Sequence, residues 1–226
     1  MPEVPQRPPN LCAGCSHRAT YYAVKKAAEG LGTIYPTDIG CYTLGVLPPL
    51  STADFLLCMG SSVGTGCGFS AATDKKVISF IGDSTFFHSG IPGLINAVFN
   101  NHNFTLVVLD NSTTAMTGHQ ENPGTGQTLM GQPTYAVDLE ELSRSMGIEN
   151  THTVDSYDLA GVEAALRAGT IQDLIDKSVA ARRERLATRD RPLTGVTEFP
   201  DPDEQRAASP DRRAVDADTA ERADHQ

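Results

Sequence analysis

The 226-residue sequence has no tryptophan, only 6% aromatic residues and no basic surplus, since 18 Lys and Arg stand against 28 Asp and Glu for a formal charge of −10. Nucleic acid and anionic membranes select for clustered Lys and Arg, so neither is expected as a partner. Long apolar runs are missing too, and none approaches the roughly 18 residues that span a bilayer. The opening Met1-Pro2-Glu3-Val4-Pro5 lacks a charged n-region and an apolar h-region, and a cytoplasmic location is expected. The five cysteines, Cys12, Cys15, Cys41, Cys58 and Cys67, are an odd number without a secretion signal, which argues against a disulfide framework. A redox cofactor, a metal or plain burial remains for them.

What is present is a hydrophobic share of 39%, enough for one buried core in a chain of this length. Residues 1–11 are proline-rich and extended. From Ser16, which the pattern offers as the helix cap, a run of helix formers leads to Gly30, a stop signal. Short β-branched runs at 33–35, 54–57, 76–81 and 104–109 then alternate with a small-residue helix near Gly60–Ala72 and an apolar helix near Gly90–Phe99. That alternation predicts an α/β fold, a parallel sheet with helices on both faces. Asp138 and Glu141 have the spacing of a capping box, with Leu139, Leu142 and Met146 on one helical face and Gly147 as terminator. The domain is expected to cover residues 1–189. Of the 37 residues from Asp190 to Gln226, ten are acidic and five basic, with few large apolar side chains to offset chain entropy, so 190–226 reads as a disordered acidic tail.

The chemistry centres on Phe80-Ile81-Gly82-Asp83-Ser84, a buried strand running into a Gly-Asp turn, and on Asn111 at the end of the next such strand. In a parallel sheet both turns emerge at the carboxyl edge, where open α/β folds bind ligands. The Asp83 carboxylate, the Asn111 amide oxygen and the Thr113 carbonyl would give Mg²⁺ three oxygen ligands and leave positions for phosphate oxygens and water. Taken alone, Gly82-Asp83-Ser84 reads first as an ordinary helix-capping turn; its pairing with Val108-Leu109-Asp110-Asn111 reverses that and favours a diphosphate–metal clamp.

Gly82-Asp83-Ser84 followed by Asp110-Asn111 resembles the thiamine-diphosphate motif, with Ser84 in place of the usual third glycine. Thr117-Gly118-His119-Gln120, Cys12-Ala13-Gly14-Cys15, Asp38-Ile39-Gly40-Cys41 and Thr85-Phe86-Phe87-His88-Ser89-Gly90 are similar to segments of the 2-oxoacid:ferredoxin oxidoreductases, in particular their indolepyruvate (arylpyruvate) branch. The resemblance covers about residues 7–160. It implies a thiamine-diphosphate-binding fold, with Asp83, Asn111 and Thr113 on Mg²⁺. It also implies that Gly40, Cys41, Gly60, Ser61 and Ser84 cradle the diphosphate with backbone N–H groups, and that Gly82, Met116 and Thr117 lie around the cofactor. His88 and His119 become candidate catalytic residues lining the substrate pocket. Cys12, Cys15 and Cys41 become ligands of a possible [4Fe–4S] cluster, whose fourth cysteine is absent near Arg182-Arg183-Glu184-Arg185.

The implied activity is oxidative decarboxylation of a 2-oxoacid to acyl-coenzyme A, with electrons passed to ferredoxin. It requires a pyrimidine-binding domain or subunit that this chain lacks, so an oligomeric complex is expected. Two alternatives stay open: a truncated, non-catalytic remnant, and a subunit of a non-oxidative thiamine-diphosphate decarboxylase.

Overall fold

The computed structural model describes residues 8–168. The expected tail at 190–226, the boundary at 189 and the Arg182–Arg185 segment lie outside the described residues.

Helix α1 spans Ser16–Ala27. The sequence suggests a serine cap, but Ser16 is already inside the helix: Cys15 is the N-cap, without a side-chain cap bond. Helix α2, Ser61–Ala72, follows the left-handed Gly60 (φ 85°), and β1, Ile78–Gly82, runs directly into α3, Asp83–Thr85. A π-helical turn at Phe86–Gly90 joins α3 to α4, Ile91–Phe99. After β2, Thr105–Leu109, come α5, Leu139–Ser145, and α6, Leu159–Ala168. At α5 the Asp138 carboxylate accepts the Glu141 N–H at 2.7 Å, satisfying one of the orphan amides of the first turn.

β1 and β2 pair in parallel, Ile78 opposite Thr105 and Gly82 opposite Leu109. On the other side of β1, the Ile34 and Pro36 carbonyls accept N–H groups from Ile78 (3.0 Å) and Phe80 (2.9 Å). That segment in turn pairs in parallel with Phe55, through Thr37 N–H to Phe55 O at 2.8 Å. The spatial order is therefore 54–55, 34–37, β1, β2, which differs from the sequence order. The runs at 33–35 and 54–57, expected as strands, are reduced to isolated bridges. Pro36 has no N–H to donate, and the chain turns away at once after Asp38 and Phe55.

Every residue of β1 is buried, because both faces of the sheet are covered. Ile78 and Phe80 pack with Tyr21 and Val24 of α1 and Val162 of α6. Ile81 points the other way, toward Val63 of α2, Phe86 and Leu94, with Leu139, Leu142 and Met146 at the margin. Tyr21 meets Phe80 edge to face, with ring centroids 4.7 Å apart. Complete burial of Phe80 stabilises the fold by about 1.5–3 kcal/mol relative to exposure. The expected α/β architecture with helices on both faces is what the chain adopts.

Candidate cofactor site

Strand order reverses between the 34–37 segment and β1: one leads outward to Phe55, the other outward to β2. Their carboxyl ends flank a switch point, the place where open α/β sheets hold ligands. Asp38 leaves the first strand and Asp83 the second. Tyr42, on the 3₁₀ turn Cys41–Val46, locks these two ends together. Its hydroxyl lies 2.9 Å from both the Ile39 carbonyl and Thr85 Oγ1. Its ring fills the space a Cβ would need at Gly40 or Gly82, so only glycine fits there. Burial pushes the Tyr42 phenol up to about 12, so it remains a neutral hydrogen-bonding spacer.

Asp83 is 4% exposed. Its Oδ1 accepts the Ser84 N–H at 2.7 Å, and its Oδ2 accepts Nδ2 of Asn122 at 2.9 Å. Burial raises its pKa, the nearby Asp110 carboxylate raises it further, and the two amide donors only partly oppose them. An ionised Asp83 is thus short of positive charge in the isolated chain. Thr114 Oγ1 donates to Ser84 Oγ at 2.8 Å, tying the loop after β2 to the turn after β1. This brings Asp83, Ser84, Asp110, Asn111 and Thr113 to one edge. The half-buried Asn111 side chain has no hydrogen-bond partner among the described residues. A buried anion with an uncommitted amide in the neighbouring loop fits a hard cation and a diphosphate.

The second loop is closed on itself. Thr114 N–H donates to the Gln120 carbonyl at 2.9 Å, and Thr117 Oγ1 to Gln120 Oε1 at 2.7 Å. Met116 and Thr117 stand exposed on its 3₁₀ turn, Ala115–Thr117. His119 is exposed at φ 61°, and His88 is exposed on the π turn; neither imidazole makes a hydrogen bond among the described residues.

Gly60 and Ser61, expected to offer amides to the diphosphate, have theirs engaged within the protein. Fully buried Asp38 accepts Gly60 N–H on Oδ1 (2.7 Å), and Ser62 N–H (3.3 Å) and Ser62 Oγ (3.0 Å) on Oδ2. Ser61 N–H goes to the Cys58 carbonyl at 3.0 Å. The Asp38 carboxylate is therefore the anion at the α2 N-terminus. Gly40 N–H likewise goes to Thr43 Oγ1 at 3.0 Å. Gly60 serves by its shape, since its missing Cβ makes room for Ser89 of the π turn.

Cys41 is half-buried beside Gly40, and its thiol pKa is raised by burial and then by the charges of Cys15 and Cys12. Among the described residues no three His, Cys, Asp or Glu side chains are grouped closely enough to hold a metal ion. Cys67 is buried in α2 near Asn96, and Cys58 is exposed. Sequence reasoning missed the roles of Asp38, Tyr42, Thr114 and Asn122. Asp38 repeats the strand-then-aspartate pattern of Asp83 and was open to detection; Asn122 sits in Asn-Pro-Gly, which reads only as a turn.

The family described as "Thiamine pyrophosphate enzyme, C-terminal TPP binding domain" matches residues 38–175, from Asp38 through the Gly82-Asp83-Ser84 and Asp110-Asn111 turns and beyond. The chain belongs to this family. Thiamine pyrophosphate is another name for thiamine diphosphate, so the resemblance read from the Gly-Asp-Ser and Asp-Asn turns is borne out. This thiamine-pyrophosphate-binding domain is 56% identical to indolepyruvate oxidoreductase subunit IorA of Methanothermobacter marburgensis over 171 residues, 74% of this chain and 28% of that protein. The IorA subunit of Thermococcus kodakarensis is 43% identical over 196 residues, 79% of this chain and 30% of that protein. The domain thus spans less than a third of the length of these relatives. A solved 2-oxoglutarate:ferredoxin oxidoreductase from Magnetococcus marinus shares the fold, with a TM-score of 0.62 over 73% of this chain and 60% of that one at 17% identity. Among the described residues no helix is long and apolar enough to cross a membrane.

Proposed function

We propose that the chain is the Mg²⁺- and diphosphate-binding part of a 2-oxoacid:ferredoxin oxidoreductase of the indolepyruvate type, working with partner chains. The observation that carries this reading is the buried Asp83 at the switch point, facing the Asp110–Thr113 loop that Thr114 ties to Ser84. Asp83, Asn111 and the Thr113 carbonyl would hold Mg²⁺, whose charge would offset that of the diphosphate. Gly82 and Ser84 give the diphosphate a close approach on one side, and Met116 and Thr117 line the cofactor from the second loop. Bound thiamine diphosphate supplies the carbon nucleophile that decarboxylates a 2-oxoacid.

Gly40 and Cys41 adjoin the same edge, so a [4Fe–4S] cluster on Cys12, Cys15 and Cys41 would stand beside the cofactor and receive its electrons on their way to ferredoxin. His88 and His119, exposed on the two turns next to Asp83 and Asn111, are placed to meet a 2-oxoacid or coenzyme A entering from solvent. The matched segment is only 28% of the length of the Methanothermobacter marburgensis relative, which supports the need for further protein to complete the site. A cytoplasmic location, with soluble electron acceptors, completes the reading.

Arylpyruvate- and coenzyme A-dependent reduction of ferredoxin or a viologen tests it. The chain alone should give no turnover, and activity should appear when the missing portion of the complex is supplied in trans. Turnover by the lone chain, or carbon dioxide release without acceptor reduction in the assembled complex, would overturn the proposal.

A further inference from the structure

We propose that Asn122 is a positioning residue that holds Asp83 in the orientation required to bind the metal; this rests on the reading of Asp83 as a Mg²⁺ ligand. Asn122 is 39 positions away in sequence and 7% exposed, on the loop between Gln120 and Asp138. Its Nδ2 donates to Asp83 Oδ2 at 2.9 Å, while its own Oδ1 accepts the Gly124 N–H at 2.9 Å. The second bond fixes the first. With its oxygen committed to a backbone donor, the amide must present its NH₂ end to the carboxylate.

The Asn122 backbone is equally fixed. Its carbonyl accepts the Thr125 N–H at 3.0 Å and Thr125 Oγ1 at 2.9 Å, and Val137 N–H closes on the Pro123 carbonyl at 2.9 Å. Gly124 packs against the Phe87 ring of the π turn, so the loop base rests on the helix that follows Asp83.

Each Asp83 oxygen therefore has one protein donor: Ser84 N–H on Oδ1 and Asn122 on Oδ2. A carboxylate oxygen accepts two hydrogen bonds or ligands, so one lone pair on each oxygen remains for a cation, with the plane of the carboxylate already set. Without Asn122 only the adjacent amide would hold Asp83, which could then swing away from Asp110, whose like charge repels it. Partners of metal-binding carboxylates typically carry a 10–100-fold share of metal affinity.

The test uses the full 226-residue chain with thiamine diphosphate and Mn²⁺ as a paramagnetic stand-in for Mg²⁺, the free ion being counted by electron paramagnetic resonance. Asn122→Ala should raise the Mn²⁺ Kd about 10–100-fold with the circular dichroism spectrum unchanged. Asn122→Leu, close to Asn in size and without a donor, should do the same and serves if the alanine variant does not fold. Unchanged affinity in both Asn122 variants would overturn this inference alone. A wild-type chain that binds no Mn²⁺ would remove the metal reading and this inference with it.

Discussion

Asparagine at position 83 is expected to abolish the metal-dependent binding of thiamine diphosphate while leaving the metal-free fold at least as stable as the native chain. The substitution keeps size and shape. It removes a negative charge that the apoprotein holds at a disadvantage, since burial and the Asp110 carboxylate both disfavour ionised Asp83. An amide oxygen still accepts one of the two donors, Ser84 N–H or Asn122 Nδ2, and the remaining unpaired donor costs about 1–3 kcal/mol. Relief of the buried charge offsets that cost. The metal, in contrast, loses its one fully buried anionic ligand, and neutral oxygens hold Mg²⁺ poorly. Thermal unfolding in EDTA and calorimetric titration of thiamine diphosphate with Mg²⁺ read the two effects separately. A destabilised apoprotein would show that Asp83 is structural, and undiminished Mg²⁺-dependent binding would show that it is no ligand.

The second large effect concerns iron. Anaerobic reconstitution of the native chain should yield a labile, substoichiometric iron–sulfur centre, and Cys41→Ser should eliminate it. Cys41 is the third thiol of the proposed set, so its loss leaves only Cys12 and Cys15, half of the four thiolates of an ordinary [4Fe–4S] cluster. Cys67→Ser should leave the iron content unchanged, because Cys67 is buried in α2 with Asn96 as its neighbour. Iron counting and electron paramagnetic resonance provide the readout. A stable, stoichiometric [4Fe–4S] centre in the lone chain would mean that a fourth ligand exists within it, and retention of iron by Cys41→Ser would end the assignment.

The parts of the site that could be read from the sequence are those set by local pattern. The apolar run Val77–Ile81 into Gly82-Asp83, and Leu106–Leu109 into Asp110-Asn111, each encode a strand ending in a polar turn, and parallel pairing then places both turns on one edge. Asp138 announced α5 because a capping carboxylate and its amide are three residues apart. The interactions that hold the site together join positions distant in sequence. Asp38 reaches Gly60 and Ser62, Tyr42 reaches Thr85, and Asn122 reaches Asp83, and none of these pairs leaves a periodic signal. The expectation for Gly60 and Ser61 shows the consequence. A glycine-led helix start is a sound anion site by itself, but the anion it receives is the protein's own Asp38 carboxylate.

Titration of the native chain with thiamine diphosphate, with Mg²⁺ and again in EDTA, tests the central claim most directly. A diphosphate clamp without its pyrimidine pocket should bind weakly with Mg²⁺ and give no detectable heat in EDTA; equal affinity under the two conditions would contradict the account.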